Sequence, residues 1–267
     1  MKVYIFNRLV RIYPTYLTIA ILMIALYGLT PSLSASGRRN FSLLSSLFLI
    51  PSSLPPALSV GWTLIHELIF YTVFLLFFVS LRCLILGLLL WVILILIGLP
   101  YGATGALHYV FNPVNLEFIL GVVAAYLFNL KRSLFDGFRA IIVIVGGALT
   151  ISSLALMIES GSASGLLRVV TAFGLVLIII GVSLYEIAGI LRWPTLSLLI
   201  GNASYSIYLI HNPLLSITQR IFGKLNFGWA LAFVLGVLIS LCAGIIYYFA
   251  VERSWQRFFK HYFMKVR

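Results

Sequence analysis

The chain has 267 residues, of which 62% are hydrophobic and only 9% are charged. Soluble domains carry about 25% charged residues, so a water-soluble globular fold is excluded, and so is disorder, which needs low hydrophobicity and high charge. Eighteen Lys and Arg stand against six Asp and Glu, a net charge of +12. The basic residues fall between long apolar runs, where they fix topology against the inner leaflet; nucleic acid is not an expected partner.

The apolar runs predict an all-α, polytopic membrane protein of about eight transmembrane helices. In chain order the spans are Pro14–Leu33, Trp62–Leu81, Cys83–Leu99, Pro113–Leu130, Phe138–Ile158, Leu166–Leu191, Thr195–Ile217 and Phe227–Val251. Each is near the roughly 20 residues that cross a 30 Å hydrocarbon core as a helix. The strand-like alternation of a membrane barrel is missing. Between the first two spans, Phe41–Ile50 is too short to cross and is followed by Pro51 and Pro55-Pro56. It predicts an interfacial or re-entrant helix on the outer side. Ser34-Ala35-Ser36 loosely imitates a signal-peptide cleavage site, whereas Arg11-Ile12-Tyr13-Pro14 reads as the interfacial start of a span.

Positive charge sets the direction. With the N-terminus inside, thirteen of the eighteen basic residues fall in cytoplasmic segments, from Lys2, Arg8 and Arg11 through Arg82, Lys131, Arg132, Arg139 and Arg192 to the C-terminal stretch. Arg38, Arg39, Arg168, Arg220 and Lys224 fall outside. The bias puts both termini in the cytoplasm of a multi-pass protein in the inner cell membrane. No repeat or linker divides the chain, which reads as one membrane domain over residues 1–267 with a basic cytoplasmic tail from 252 to 267. Cys83 and Cys242 lie at or within apolar segments, and their spacing suggests neither a metal site nor a disulfide.

An ionisable residue within a span costs at least a few kcal/mol, so each needs a reason. Glu67 lies about one turn below Trp62, and Glu117 about one turn into its own span. His211 is roughly 24 Å along the span that begins near Thr195. All three fall in the outer half of the membrane. His66 adjoins Glu67 and faces another side of the helix, which favours a structural role. His108 and His261 carry no motif.

Gly201-Asn202-Ala203-Ser204-Tyr205-Ser206 is a small, polar stretch inside a span. Its residues suit close helix packing and bridging hydroxyls. Tyr208 and His211 are three apart and share one face; a face of phenol and imidazole also suits a hydroxyl-bearing ligand. Arg8 and Arg11 are likewise three apart, on the cytoplasmic side. They either set topology or clamp phosphate.

Four stretches in order resemble the integral membrane acyltransferase-3 family, which O-acylates sugars. Arg8-Leu9-Val10-Arg11-Ile12-Tyr13-Pro14-Thr15-Tyr16 is similar to its Arg-x-x-Arg-Ile-x-Pro-x-Tyr motif. Trp62-Thr63-Leu64-Ile65-His66-Glu67-Leu68-Ile69-Phe70-Tyr71 is similar to its Trp-x-Leu-x-x-Glu-x-x-Phe-Tyr signature. Glu117-Phe118-Ile119-Leu120-Gly121 and the run from Gly201 to His211 resemble its Glu-Phe-x-x-Gly and Gly-x-x-Ser-Tyr-Ser-x-Tyr-Leu-x-His segments. Val251-Glu252-Arg253 is a weaker echo of a closing Glu-x-Pro, with Ser254 in place of proline.

The resemblance implies transfer of an acyl group, usually acetyl, from a cytoplasmic coenzyme A thioester to a sugar hydroxyl of a surface polysaccharide, lipopolysaccharide or other glycan. Acyl-CoA is then the donor substrate, with no bound cofactor and no metal. Arg8 and Arg11 would hold the donor's phosphates. His211 or Glu67 would serve as the base, and Trp62, Ser204 or Tyr205 would donate to the oxyanion. Glu117 and Tyr208 complete the substrate-binding set. Phosphate groups inside and a base outside imply that the acyl group crosses the membrane or that a cavity joins the two sides. The family usually has about ten spans, the first two preceding Arg-x-x-Arg and carrying the histidine regarded as catalytic. This sequence starts just before Arg8, so the resemblance is to an N-terminally shortened member. Two other functions stay open on the sequence alone. One is a non-catalytic relative that pairs with a partner chain; the other is a glycan or lipid transporter with carboxylates lining its path.

Overall fold

The computed structural model describes residues 1–29, 40–98, 104–162 and 164–263. Ser34-Ala35-Ser36, Arg38, Arg39, Lys265 and Arg267, which entered the cleavage and topology readings, lie outside the described residues, as do the ends of the first and third expected spans at Leu33 and Leu99. All regular structure among the described residues is helical. Lipid supplies no hydrogen bonds, so a segment that crosses it alone must pair every backbone group within itself.

The chain divides into two compact units, Met1–Ile65 with Pro194–Arg267, and His66–Trp193. In the first unit α1 spans Lys2–Leu29 with Pro14 inside it. The expected span starts at Pro14, with Arg11-Ile12-Tyr13-Pro14 as its interfacial entry. The helix instead starts twelve residues earlier and takes Arg8 and Arg11 into its second and third turns. Proline removes one N–H from the ladder, and packing on both sides of it offsets that loss: Ile12 and Tyr16 are fully buried.

Tyr13 and Tyr16 reach the short helix α2 (Leu43–Phe48), donating to the carbonyls of Phe48 at 2.8 Å and Ser46 at 2.7 Å. This is the short helix that Phe41–Ile50 predicts. Ser42 caps its start, and Leu49 ends it at a φ of 53°. The helix α3 (Gly61–Phe74) begins in this unit, and its last nine residues belong to the other.

Within the second unit a 3-10 turn (Leu75–Phe78) leads to α4 (Leu81–Gly98). Then come α5 (Ala106–Phe111) and α6 (Asn115–Asp136), followed by α7 (Arg139–Ser160) and α8 (Gly165–Ile187). Leu84, Leu88, Trp91 and Ile95 repeat at three and four residues along α4 and pack with Ile119 of α6. The α7–α8 pair meets through small residues: a Cβ on Gly146 would stand 2.7 Å from the Gly174 carbonyl. Such close approach is how membrane helices gain contact without a hydrophobic driving force.

The chain returns to the first unit with α9 (Thr195–Lys224) and α10 (Trp229–Tyr247). A π-helical turn, Tyr248–Glu252, carries α10 on into α11 (Arg253–Phe263), so the stretch read as a tail is helical as far as Phe263. Among the described residues, seven helical segments are long and apolar enough to cross a membrane. The remaining expected span, Thr195–Ile217, lies in α9, which is 30 residues long but falls outside that set because its many polar residues lower its mean hydropathy.

Candidate functional site

One end of the first unit holds a cavity of about 500 Å³. Its wall comes from the first three turns of α1, the start of α9, the π turn and α11. Arg11, Asn7, Asn202, Ser204, Tyr205 and Gln256 bring polar groups to it. Tyr205 is held there by donating to the Ile12 carbonyl at 3.0 Å. Glu252 also lines the cavity; the buried Ser206 hydroxyl donates to its Oε2 at 2.6 Å, and Gln256 donates to its Oε1 at 3.0 Å. A π turn holds an extra residue per turn and recurs at functional sites. Here it sets Glu252 against α9.

Glu252 and Gln256 were not among the expected site residues. The available signal was the echo of Glu-x-Pro and the fact that Glu252 is the first charged residue after Lys224. The π turn itself has no sequence signature. The expected Arg8–Arg11 pair divides. Arg11 lines the cavity, while the Arg8 guanidinium lies 5.1 Å from the ring centre of Tyr4, one turn back, and is not part of the wall.

Farther along α9 the Tyr208 hydroxyl meets Thr63 Oγ1 and donates to the Val60 carbonyl at 3.3 Å. His211 Nδ1 lies 2.6 Å from the Tyr208 carbonyl. A carbonyl only accepts, so Nδ1 carries the proton and Nε2 is the basic nitrogen. The bond within one helix thus fixes the tautomer a general base requires. Trp62 sits half-buried in the first turn of α3.

The two acidic candidates lie in the second unit. Glu67 is half-buried and accepts from the Tyr71 hydroxyl one turn on. Glu117 pairs with Arg168 of α8 at 3.4 Å. His66, buried beside Tyr109, shares a 2.9 Å bond with Asn115 Oδ1. Asn115 donates to the carbonyls of Tyr109 and Val110, so its oxygen is the acceptor and His66 Nδ1 the donor. Among the described residues no three His, Cys, Asp or Glu side chains come together to hold a metal.

The structure therefore brings Arg11, Ser204 and Tyr205 together at one cavity, and Tyr208 with His211 deeper along the same helix. A guanidinium beside hydroxyls and amides can hold phosphate, and a neutral imidazole with Nε2 unprotonated can accept a hydroxyl proton. A family model described as an acyltransferase domain, of the acyltransferase-3 type, matches residues 1–249. The exopolysaccharide production protein ExoZ of Rhizobium meliloti (strain 1021) is 30% identical over 263 residues, covering 94% of this chain and 80% of the relative. No solved structure matches.

Proposed function

The chain belongs to the acyltransferase-3 family, and from that premise we propose that it moves an acyl group, acetyl by preference, from a coenzyme A thioester to a hydroxyl of a surface polysaccharide. The polysaccharide acceptor follows the relative's name as an exopolysaccharide production protein. The observation that carries the donor side is the cavity of about 500 Å³ with Arg11 on its wall. Arg8, Arg11, Arg253 and Arg257 cluster on the elements that form this end of the unit. By the positive-inside rule this end faces the cytoplasm, where acyl-CoA is made. Both termini then lie on the cytoplasmic side of the cell membrane.

Arg11 holds the donor's phosphates, with Asn202 and Ser204 as further hydrogen-bond partners. The thioester sits at the end of a long flexible arm and extends toward His211. From Tyr205 to His211 the rise along α9 is about 9 Å. His211 Nε2 takes the proton of the acceptor hydroxyl as its oxygen attacks the thioester carbonyl. Trp62, in the first turn of α3, supplies an indole N–H as the oxyanion donor in this reading. Collapse breaks the C–S bond, and the departing thiolate takes the proton from the imidazolium. Ester and coenzyme A thiol are the products.

The test is transfer of radiolabelled acetyl from acetyl-CoA to polysaccharide in membrane vesicles carrying the chain. Arg11→Gln should raise the KM for acetyl-CoA about ten-fold, the value of one charge-assisted hydrogen bond. Label that never leaves the thioester, or a KM indifferent to Arg11→Gln, overturns the reading.

A further inference from the structure

A second, smaller cleft lies farther along the same two helices of the first unit, with a volume of about 60 Å³. Tyr27 of α1, Ser59 ahead of α3, and Asn212, Ser216 and Arg220 of α9 supply its polar wall. Apolar side chains such as Ile217 complete the lining, which includes no carboxylate among the described residues. Asn212, Ser216 and Arg220 are four residues apart and share one face of α9. The same ridge runs back through Tyr208 to Ser204 in the large cavity. Tyr208 and His211 are thus flanked by Ser204 and Tyr205 of the large cavity on one side and by the cleft on the other.

Size decides what the cleft can hold. At ~30 Å³ of liquid per water molecule, it has room for about two waters. That is the scale of a carboxylate, and too little for a sugar ring. Its donors fit the same group: a guanidinium fork, hydroxyls and a side-chain amide, against apolar walls that keep competing water few. Three chain segments converge to make it, so it is a built recess rather than one helix's surface.

We propose that this cleft is an acceptor subsite for an acidic sugar. The carboxylate of a uronic acid, or of another acid-substituted saccharide, docks on Arg220 and the Tyr27 hydroxyl. The sugar ring stays outside the recess, with a neighbouring hydroxyl presented to His211, the residue adjoining Asn212. This rests on the transferase reading and gives the acceptor a chemical class. Neutral glycans lack the group the cleft recognises and are poorer acceptors.

The experiment uses the full chain in nanodiscs of phosphatidylcholine. Its probes are a fluorescent oligosaccharide of alternating glucose and glucuronic acid, and the same compound with its carboxyl groups reduced. The acidic probe should bind at least about ten-fold more tightly, as one hydrogen bond to a charged group predicts. Arg220→Gln should erase that preference, Arg220→Lys should keep part of it, and Arg11→Gln should leave it intact. Equal binding of the two probes, no binding of either, or a preference that survives Arg220→Gln overturns the proposal. So does loss of the preference in discs containing phosphatidylglycerol, which would make the cleft a lipid-headgroup site. Acetyl transfer in the same discs separates the two readings. Transfer without preference for the acidic probe sinks the subsite alone. Arg220-dependent binding without any transfer from acetyl-CoA sinks the transferase reading and leaves an acid-binding cleft.

Discussion

Removing the Ser206 hydroxyl tests whether the wall of the large cavity is held by a buried hydrogen bond. Ser206 donates to Glu252 at 2.6 Å, within the short range of a charge-assisted O–H···O bond. Ser206 is 0% and Glu252 3% exposed, so no solvent replaces the lost donor in Ser206→Ala. A hydrogen bond to a charged group contributes about 1.5–3 kcal/mol. With Gln256 still donating to the other oxygen, a loss of about 2 kcal/mol is expected. At roughly 2–4 °C per kcal/mol for a chain of this size, the Tm of the detergent-purified protein, read by tryptophan fluorescence, should fall by about 4–8 °C. Ser204→Ala, two residues earlier and exposed, should move it by about 1 °C or less. Glu252→Gln closes the cycle. Contacting partners couple by about 0.5–3 kcal/mol, so Ser206→Ala in the Glu252→Gln background should cost about half of what it costs alone. An unchanged Tm in Ser206→Ala, or losses that simply add in the double variant, refutes the reasoning.

Other outcomes follow from the same geometry. His211→Gln should lower kcat for acyl transfer by about 10²–10⁴-fold, the usual contribution of a positioned base, with little change in the KM for acyl-CoA; steady-state kinetics in vesicles decides it. Asn115→Ala leaves the buried His66 Nδ1–H and two backbone acceptors without the amide, and should cost about 2–3 kcal/mol, read as lost thermal stability. Gly146→Leu should collapse the yield of folded protein on size exclusion, because its Cβ would stand 2.7 Å from the Gly174 carbonyl, and overpacking costs about 1–3 kcal/mol or more. Gly147→Leu, whose Cβ meets nothing within 4 Å, should express normally.

The helices were legible because composition and run length alone report burial in lipid, and α2 was legible because the apolar run Phe41–Ile50, stopped by Pro51, is too short to cross. Helix ends were harder to read. Pro14 looks like a start, and nothing local reveals that Ile12 and Tyr16 pack well enough to carry the helix through it. Site residues were visible one helix at a time. Spacing puts Tyr208 and His211 on one face, and the structure joins them through the Tyr208 carbonyl. The same spacing rule puts Arg8 with Arg11, yet Tyr4 draws Arg8 away from the cavity, since a ring face attracts a cation. Partners distant in sequence were not legible. Asn115 lies 49 positions from His66, Arg168 lies 51 from Glu117, and Glu252 lies 46 from Ser206. No pattern within a single span encodes such pairs.

The polar groups of α9 explain why a helix of this length departs from the apolar composition of its neighbours. Thirty residues rise about 45 Å, more than a hydrocarbon core of ~30 Å requires. Each polar group held at that depth costs free energy unless it finds a partner. One set has partners in the protein: Tyr205 on the Ile12 carbonyl, Ser206 on Glu252, Tyr208 on Thr63, and Thr218 on the Leu214 carbonyl. These bonds offset their own cost and add packing specificity, so the fold alone accounts for them. A second set, with Asn202 and Ser204 at the large cavity and Asn212 at the cleft, lines open space. Apolar residues at those three positions would make a better membrane helix. Stability does not select the second set; on the function proposed above, recognition of a phosphate-bearing donor at one end and an acidic sugar at the other would. His211 lies on α9 between the two ends, where that proposal requires the acyl group to pass from the first ligand to the second.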